Sequence, residues 1–219
     1  IAIDKQGLVY ITFNEKIAIY TANGTFLSLI ENVANNDNYR LTGSMNITVD
    51  DSHNIYVSCS ETQKIVKFDS QGNHLKTWGS KGNGDGEFLN PQGLAADSSG
   101  NVYVCDGWNH NDQEGNCRIE KFDSSGNFIA TWGSQGSNEG QFNNPTDIEI
   151  DDSGNVYVLD NWGHNVSVFD SEGTFIRRWG EWGYGDGQLL YPQGIGMDIE
   201  GNLYIADTDN HRIVKYSSE

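Results

Sequence analysis

One stretch decides the fold, Leu94–Asp106, which reads LAADSSGNVYVCD. It contains a short apolar segment ending in Asp, a turn, and an apolar strand that carries a Tyr. The same pattern begins at five places, residues 1, 47, 94, 148 and 195, and subtraction gives spacings of 46, 47, 54 and 47 residues. A regular period in this range indicates a supersecondary unit that buries its faces by stacking on its neighbours.

Each repeat predicts four short strands with Asp and Gly at the turns between them, where these residues bond the local backbone or adopt positive φ. In the third repeat the predicted strands a to d are Leu94–Ala96, Val102–Asp106, Arg118–Phe122 and Phe128–Gly133. Gly-rich connectors over 79–93, 133–147 and 180–194 join one strand d to the next strand a. The sequence therefore predicts a single all-β domain over 1–219, a β-propeller of four-stranded antiparallel blades.

The residues of Gly86–Asp106 resemble the NHL repeat, with the pattern Gly-x-Phe-x-x-Pro-x-Gly-apolar-Ala-x-Asp-x-x-Gly-Asn-Val-Tyr-Val-x-Asp, and Asp207–Ile213 resembles its Asn-His-Arg-Ile ending. The resemblance covers essentially the whole chain. It implies a propeller, commonly of six blades, in a family that includes ligand- and protein-binding domains, extracellular sensors, RNA binders and an amidating lyase. The resemblance therefore implies the shape and leaves the activity open.

The fifth repeat ends at Glu219, inside the turn that precedes strand d. The sequence thus predicts four complete repeats and a three-stranded fifth. We expect the natural chain to extend further, either with an upstream strand that completes the fifth blade or with a sixth blade.

Composition excludes some classes of function. The chain has 13 Lys and Arg against 31 Asp and Glu, for a formal net charge of −18. Such an acidic protein repels phosphate backbones, so we expect no nucleic-acid partner. No apolar run approaches the roughly 20 residues that span a bilayer, so we expect no direct membrane insertion. No nucleophile motif and no phosphate-binding loop before a helix is present.

The third repeat is longer than the others by seven residues, and we expect residues 109–117 to lengthen its b–c loop. Cys105 and Cys117 flank this segment. They are candidates for a disulfide that bridges it, which would indicate an oxidising compartment, or for two buried thiols.

Aromatic residues are predicted in loops on one face of the propeller. Trp108 and Trp162 each follow an Asp that ends strand b by two residues, a position held by Asp209 in the fifth repeat. Trp182 and Tyr184 belong to the connector 180–194. Exposed aromatics near Asn and Asp make platforms for sugars or for partner side chains, or they cover the blade edges. Three further tryptophans end strand d and are expected to pack between blades: Trp78, Trp132 and Trp179.

His110, His164 and His211 each lie four residues after the Asp that ends strand b. Three imidazoles around a channel mouth could hold zinc with an open coordination position. Their recurrence favours a structural role, in which each histidine braces the b–c turn against the preceding Asp. The sequence therefore predicts no cofactor, with zinc at these histidines as the less favoured alternative.

Two enzyme classes suggested by the resemblance receive little support. The amidating lyase has zinc histidines directly after the connector proline, where this chain has Gln92, Thr146 and Gln193. Lactonase-like propellers hold calcium with inward carboxylates, for which Glu149 is the only acidic residue inside one of the apolar openings.

The sequence predicts a non-enzymatic recognition module that binds a protein or a glycan through the loop face, meaning the face formed by the b–c loops and the connectors. The alternatives are a metal-dependent lyase or lactonase-like enzyme at the central channel, and a structural unit of a surface or filament assembly. We expect an extracellular or cell-surface glycoprotein, with acceptor asparagines at Asn23, Asn46 and Asn165. The predicted ligand-binding residues are Trp108, His110, Trp162, His164, Trp182, Tyr184 and Asp209.

Overall fold

The computed structural model describes residues 1–31, 40–43, 46–109 and 114–217. Over these ranges the chain forms five antiparallel sheets, four with four strands and the last with three. The sheets are the blades of a propeller, arranged in a ring, as the sequence predicts. Helical structure in the described ranges is one 3-10 turn, Thr208–Asn210, and no helix there is long and apolar enough to cross a membrane.

The strands follow one another in chain order within every blade. Blade 1 contains β1 (Ala2–Ile3), β2 (Val9–Phe13), β3 (Lys16–Tyr20) and β4 (Phe26–Glu31). Blade 2 contains β5 (Ile47–Val49), β6 (Ile55–Cys59), β7 (Lys64–Phe68) and β8 (His74–Trp78). Blade 3 contains β9 (Pro91–Ala96), β10 (Val102–Asn109), β11 (Glu114–Phe122) and β12 (Phe128–Trp132). Blade 4 contains β13 (Pro145–Ile150), β14 (Val156–Asp160), β15 (Asn165–Phe169) and β16 (Phe175–Trp179), and blade 5 contains β17 (Gly194–Met197), β18 (Leu203–Asp207) and β19 (Arg212–Tyr216).

The recurring Asp and Tyr of the repeat are bonded to each other. In blade 4 the Asp151 carboxylate accepts the backbone N–H groups of Ser153 and Asn155 at 2.9 and 2.8 Å, which closes the a–b turn. Its second oxygen accepts the hydroxyl of Tyr157 at 3.1 Å. The equivalent Tyr–Asp bond is present in all five blades at 2.9–3.2 Å. One carboxylate therefore shapes the turn and satisfies a phenol on the blade face, which explains why the two residue types recur together.

Consecutive blades share apolar cores. We call the side of a blade that meets the next blade in chain order its forward face, and the opposite side its backward face. The forward face of blade 3, with Tyr103 and Ile119, packs on Ile148 and Val156 of the backward face of blade 4. These four side chains are at most 2% exposed. Burying one large aliphatic side chain contributes about 1.5–3 kcal/mol, so these interfaces dominate the stability of the ring.

The strand d tryptophans pack between blades, as predicted. The Trp78 ring lies 5.8 Å from that of Phe122 in the next blade, and Trp132 lies 6.1 Å from Phe169. Each indole also fits beneath a c–d turn glycine of the next blade. A Cβ built on Gly126 would lie 2.8 Å from the Trp78 ring, so any larger residue there would meet the indole.

The structure corrects the expectation for the long third repeat. The extra residues do not simply lengthen a loop, because β10 and β11 run for eight and nine residues where other blades have five. Trp108 pairs with Gly115 beyond a register shift after Asp106. The insertion therefore extends the hairpin, and its remaining residues 110–113 lie outside the described residues.

Cys105 and Cys117 are both buried as free thiols, so the structure contains the second of the two alternatives and no bridge. The ladder pairs Cys105 with Ile119 rather than with Cys117. The Cys117 thiol donates to the carbonyl oxygen of Asn143 at 3.3 Å. Burial raises the pKa of Cys117 to about 12, which keeps it protonated.

Candidate binding site on the loop face

The connectors share one conformation. In each of the connectors 79–93, 133–147 and 180–194, two residues seven positions apart form a short parallel bridge, as Trp182 does with Leu189. Leu189 is fully buried, as are Phe88 and Phe142 at the matching positions. Each connector is therefore a compact loop anchored by one apolar side chain, with its tip toward solvent.

Two of these connectors are each held by an arginine side chain at the start of a strand c. Arg212, the first residue of β19, donates to the carbonyl oxygens of Gly185 and Gln188 at 2.8 and 2.7 Å. Arg118 makes the same contacts with Gly84 and Glu87, both at 2.8 Å. The planar guanidinium serves several carbonyl groups at once, so it fixes the loop backbone. This explains the Arg of the Asn-His-Arg-Ile pattern.

The Asp that ends strand b is buried beneath the connector. Asp160 is 2% exposed and accepts the backbone N–H groups of Asn143, Asn144 and Gly163 at 2.8, 2.8 and 3.0 Å. Burial raises its pKa above the ordinary carboxyl range, and the three donors oppose that shift. Asp106 and Asp207 receive connector N–H groups in the same way. These carboxylates join the b–c turn to the connector, which confirms that both belong to one face.

The structure groups the predicted aromatic residues in pairs. The Trp108 and Trp162 rings lie 5.9 Å apart at a 48° tilt, and both residues are half-buried. Trp182 and Tyr184 meet edge to face at 5.6 Å and are 58% and 67% exposed. The first pair bridges blades 3 and 4, whereas the second pair lies at the tip of an anchored connector. The most accessible aromatic surface of the predicted site is therefore Trp182 with Tyr184.

The histidines do not occupy one shared position. His164 and His211 directly precede β15 and β19 with left-handed φ values of 55° and 53°. The residue aligned with them in blade 3 is Cys117, which lies inside the extended β11 just before Arg118 and has φ 50°. His110, which lies outside the described residues, is thus not their equivalent in the strand register. This position is occupied by a residue with left-handed φ. Because of the insertion in blade 3, counting four residues from the Asp leads to His110, whereas the residue at the structural position is Cys117.

His164 contacts the connector rather than the preceding Asp. Its Nδ1 accepts the backbone N–H of Tyr191 at 3.2 Å, and its ring lies 4.7 Å from that of Tyr191. Burial lowers its pKa, in keeping with a neutral acceptor. In blades 3 and 5 a side-chain amide bonds the equivalent Asp, since Asn116 Nδ2 donates to Asp106 at 2.6 Å and Asn210 Nδ2 donates to Asp207 at 2.8 Å. The described residues contain no group of three His, Cys, Asp or Glu side chains suited to a metal.

The inner strands surround a central cavity of about 1310 Å³, mostly lined by small and aliphatic residues. Two carboxyl groups of β13, Asp147 and Glu149, line it. Asp147 accepts the backbone N–H of Ile195 at 3.0 Å. Burial and the neighbouring Asp147 charge raise the pKa of Glu149 to about 8. Further acidic residues from four blades also line the cavity, which is therefore acidic on several sides: Asp4, Asp50, Asp51, Asp151, Asp152, Asp198 and Glu200.

Comparison with known proteins agrees with this geometry. A family model described as NHL repeat matches residues 88–111, and one described as DUF5128: 6-bladed beta-propeller matches residues 153–219. The chain thus carries an NHL repeat on a β-propeller fold. NHL repeat-containing protein 3 of Mus musculus and of Homo sapiens is 27% identical to it over 195 residues, 77% of this chain and 50% of the relative. This NHL chain thus spans about half the length of the curated relatives it matches.

Solved propellers are similar over nearly the whole NHL chain. A chain in the crystal structure of a nidogen/laminin complex matches with a TM-score of 0.69 and 20% identity, covering 99% of this chain and 74% of that one. A streptogramin B lyase structure matches with a TM-score of 0.66 and 16% identity, covering 99% and 67%. At these identities the likeness shows the fold alone.

Sequence reasoning missed three parts of this NHL face. In the sequence Asp160 and its equivalents Asp106 and Asp207 mark the repeat, and a recurring Asp at the end of an apolar strand also signals a buried hydrogen-bond acceptor. Arg118 and Arg212 were not assigned a role, and Tyr191, which stacks on His164, carried no repeat signal.

Proposed function

We propose that this NHL propeller is a non-enzymatic recognition module that binds a protein partner through its loop face. The observation that carries the proposal is the exposed Trp182–Tyr184 pair. The connector below it is fixed by Leu189 and by the Arg212 guanidinium, so the pair is presented on a preorganised backbone. Exposed aromatic residues on a rigid support are the usual energetic centres of protein interfaces.

The charge around this pair indicates the chemistry of the partner. Glu181 and Asp186 flank it in the same connector, and Asp209 of blade 5 is exposed on the same face. The whole chain carries a formal charge of −18. Acidic and aromatic groups together favour a partner surface rich in Lys and Arg, through charge complementarity and cation–π contacts.

The similar propeller in the nidogen/laminin complex supports a protein partner. A glycan is the second ligand class, because the faces of Trp and Tyr also pack on sugar rings. A binding experiment on defined ligands distinguishes the two.

The test measures binding of the full chain to arrays of basic peptides, matched neutral peptides and glycans. We expect binding to basic peptides that weakens as salt rises. The double variant Trp182→Ala/Tyr184→Ala should weaken it by at least about tenfold, as loss of a hot spot does. Ile199→Ala is the control, since Ile199 is 96% exposed on an a–b turn of the opposite face. Equal binding by the wild type and the double variant would contradict the proposal, and binding to glycans alone would favour the second ligand class.

A second candidate is an enzyme with a metal in the central cavity. Asp147 and Glu149 favour it, because two carboxyl groups side by side can ligate a hard cation. Elemental analysis of the purified protein tests it. Stoichiometric calcium or zinc that is lost in Asp147→Asn/Glu149→Gln would support the enzyme over the binding module.

We also propose an extracellular or cell-surface location. Of the predicted glycosylation sites, Asn23 is exposed in the c–d turn of blade 1 and Asn46 is half-buried. Asn165 is buried, with its amide bonded to the carbonyl oxygen of Gly163 at 2.7 Å, and is excluded as an acceptor in the folded protein. Secretion from a eukaryotic host should give a mass shift that is removed by glycosidase, reduced in Asn23→Gln and abolished in Asn23→Gln/Asn46→Gln. An unshifted secreted protein would remove this support.

A further inference from the structure

Two aromatic residues distinguish the connector before blade 5, residues 180–194, from the connectors before blades 3 and 4. The backbone bridges align Trp182 with Lys81 of the connector before blade 3. Two residues further along the chain, Tyr184 aligns with Asn83. The connector before blade 4 has Gln and Ser at the two positions. The aromatic pair is therefore a feature of one connector and not of the repeat.

The backbone beneath the pair is held in the same way as the backbone before blade 3. The carbonyl oxygen of Gly183 accepts a bond from Asn210 Nδ2 at 3.0 Å. The carbonyl oxygen of Tyr184 accepts one from Arg212 at 3.3 Å. The matching residues before blade 3 form the same two bonds, at 3.0 and 2.9 Å: Asn116 to Gly82 and Arg118 to Asn83. The two connectors thus share a support and differ in the side chains that they display.

The rings of Trp182 and Tyr184 form an open corner. Their planes meet at 76° with centroids 5.6 Å apart, and each residue is more than half exposed. A Cβ added to Gly183, which lies between them in the chain, would overlap the side-chain amide of Gln188. Glycine at this point lets the connector close beneath the rings. A cation placed in the angle between the planes can contact the faces of both rings.

Several hydrogen-bond acceptors at this tip are already in use. Four backbone carbonyl oxygens accept bonds from side chains of blade 5: those of Gly183, Tyr184, Gly185 and Gln188. The Glu181 carboxylate accepts Gln188 Nε2 at 3.1 Å. The ammonium of an unmodified lysine is strongly hydrated and needs acceptors when it leaves water. Methylation keeps the charge and replaces N–H groups by methyl groups. The corner therefore favours a methylated ammonium.

The charge of the tip favours a cation that carries no phosphate. Glu181 and Asp186 flank the aromatic pair and are exposed, and the connector contains no Lys or Arg. A trimethylammonium group occurs on methylated lysine and also on the choline headgroup of lipids. In the headgroup a phosphate lies close to the ammonium, and the two carboxylates repel it. A lysine side chain has no such anion, so a protein source fits this surface better.

We propose that Trp182 and Tyr184 form a recognition site for a trimethylated lysine of a protein partner. The inference rests on the proposed binding function and names the group that the site takes. The quaternary ammonium lies in the corner with its methyl groups against the ring faces, and Glu181 and Asp186 attract its charge.

The test uses three short capped peptides of Gly and Ala that differ in one central side chain. This side chain is lysine, trimethyllysine, or an uncharged isostere with a tert-butyl group in place of the trimethylammonium. Calorimetric titration of the full chain should show that the trimethyllysine peptide binds more tightly than either of the others, on the order of tenfold.

The outcomes separate this inference from the proposed function. Equal binding of trimethyllysine and its isostere would refute recognition of the charge, and tighter binding of unmodified lysine would refute recognition of the methyl groups. In both cases the basic-peptide arrays described above could still support the proposed function. No binding of the trimethyllysine peptide would overturn the inference, whatever the arrays show.

Substitutions of Trp182 test the role of the ring. Trp182→Leu keeps an apolar side chain without an aromatic face, so it should remove the preference for trimethyllysine over the isostere. Trp182→Phe should retain part of that preference, because Phe attracts cations less strongly than Trp. Both variants should keep Tm within about 2 °C of the wild type, since the side chain is exposed. A preference that is unchanged in Trp182→Leu would contradict the proposal.

The connector before blade 3 allows a gain-of-function test. Ser80→Glu/Lys81→Trp/Asn83→Tyr reproduces the tip there, where Asp85 already provides the second carboxylate. Introduced into the double variant that lacks both rings, these changes should restore the roughly tenfold preference for trimethyllysine. Failure to restore it would show that the shared backbone does not form the corner.

Phosphatidylcholine vesicles test the lipid source of the same ammonium group. We expect the protein to stay in the supernatant when the vesicles are sedimented. Co-sedimentation that is lost in the double variant would show that the corner takes a lipid headgroup, and would overturn the protein source.

Discussion

Substitution of Gly126 by Ala tests whether strand d tryptophans lock consecutive blades together. Gly126 has φ +78°, and an added Cβ would lie 2.8 Å from the Trp78 ring. Trp78 is itself held between Tyr56 and Phe122, at 6.3 and 5.8 Å, so it has little room to move. A left-handed Ala costs about 1–2 kcal/mol relative to Gly, and overpacking adds about 1–3 kcal/mol.

Gly24→Ala is the matched control. It has the same turn position and φ +84°, with nothing within 4 Å of the added Cβ, so it should lose only the conformational part, about 1–2 kcal/mol. Urea unfolding followed by tryptophan fluorescence gives both free energies of unfolding, and we expect Gly126→Ala to be less stable than Gly24→Ala by about 1–3 kcal/mol. Equal losses would refute the idea that the indole beneath the turn locks the blades.

Three further outcomes follow from the buried groups. Asp160→Ala leaves two connector N–H groups and the N–H of Gly163 in the b–c turn without their acceptor, and should lower the free energy of unfolding by about 3–6 kcal/mol in urea titrations. Asp186→Ala, on an exposed connector tip, should stay within about 0.5 kcal/mol. Because the folded-state pKa of Glu149 is raised to about 8, its contribution to stability is present at low pH and is lost as pH rises from about 4.5 to 8. Glu149→Gln should therefore stabilise the protein more at pH 8 than at pH 5, with Glu139→Gln as an exposed control, and an equal effect at both pH values would contradict the reasoning. The three cysteines are fully buried, so a thiol reagent should label none in the native protein and three after unfolding.

The architecture could be predicted because each repeat contains residue types that mark its turns. Asp at the start of a turn and Gly near its end locate most of the a–b and c–d hairpins, with Thr21 in place of the Asp in blade 1 and His53 in place of the Gly in blade 2. The recurrence of the unit indicates that blades stack. The end of strand b in blade 3 could not be placed, since an insertion can extend a hairpin or a loop with the same composition. Pairing beyond Asp106 depends on the strand register, which only the structure supplies.

The candidate site was less predictable than the fold. Sequence position identified Trp182 and Tyr184 as loop residues, and the structure confirms that both are exposed. Sequence position did not distinguish these two residues from Trp108 and Trp162, which were also predicted in loops but are half-buried and in contact with each other. Exposure of an aromatic side chain depends on its neighbours in space, and repeat spacing contains no information on them.

The anchored connectors separate the scaffold from the surface it displays. Their shape is determined by an internal apolar residue, by a backbone bridge between residues seven positions apart and by hydrogen bonds from an arginine of the adjoining strand. None of these depends on which side chains the tip displays. Residues such as Tyr184 can therefore diversify among descendants of this domain while the ring is conserved, so new specificities can arise by point substitution without rebuilding the architecture.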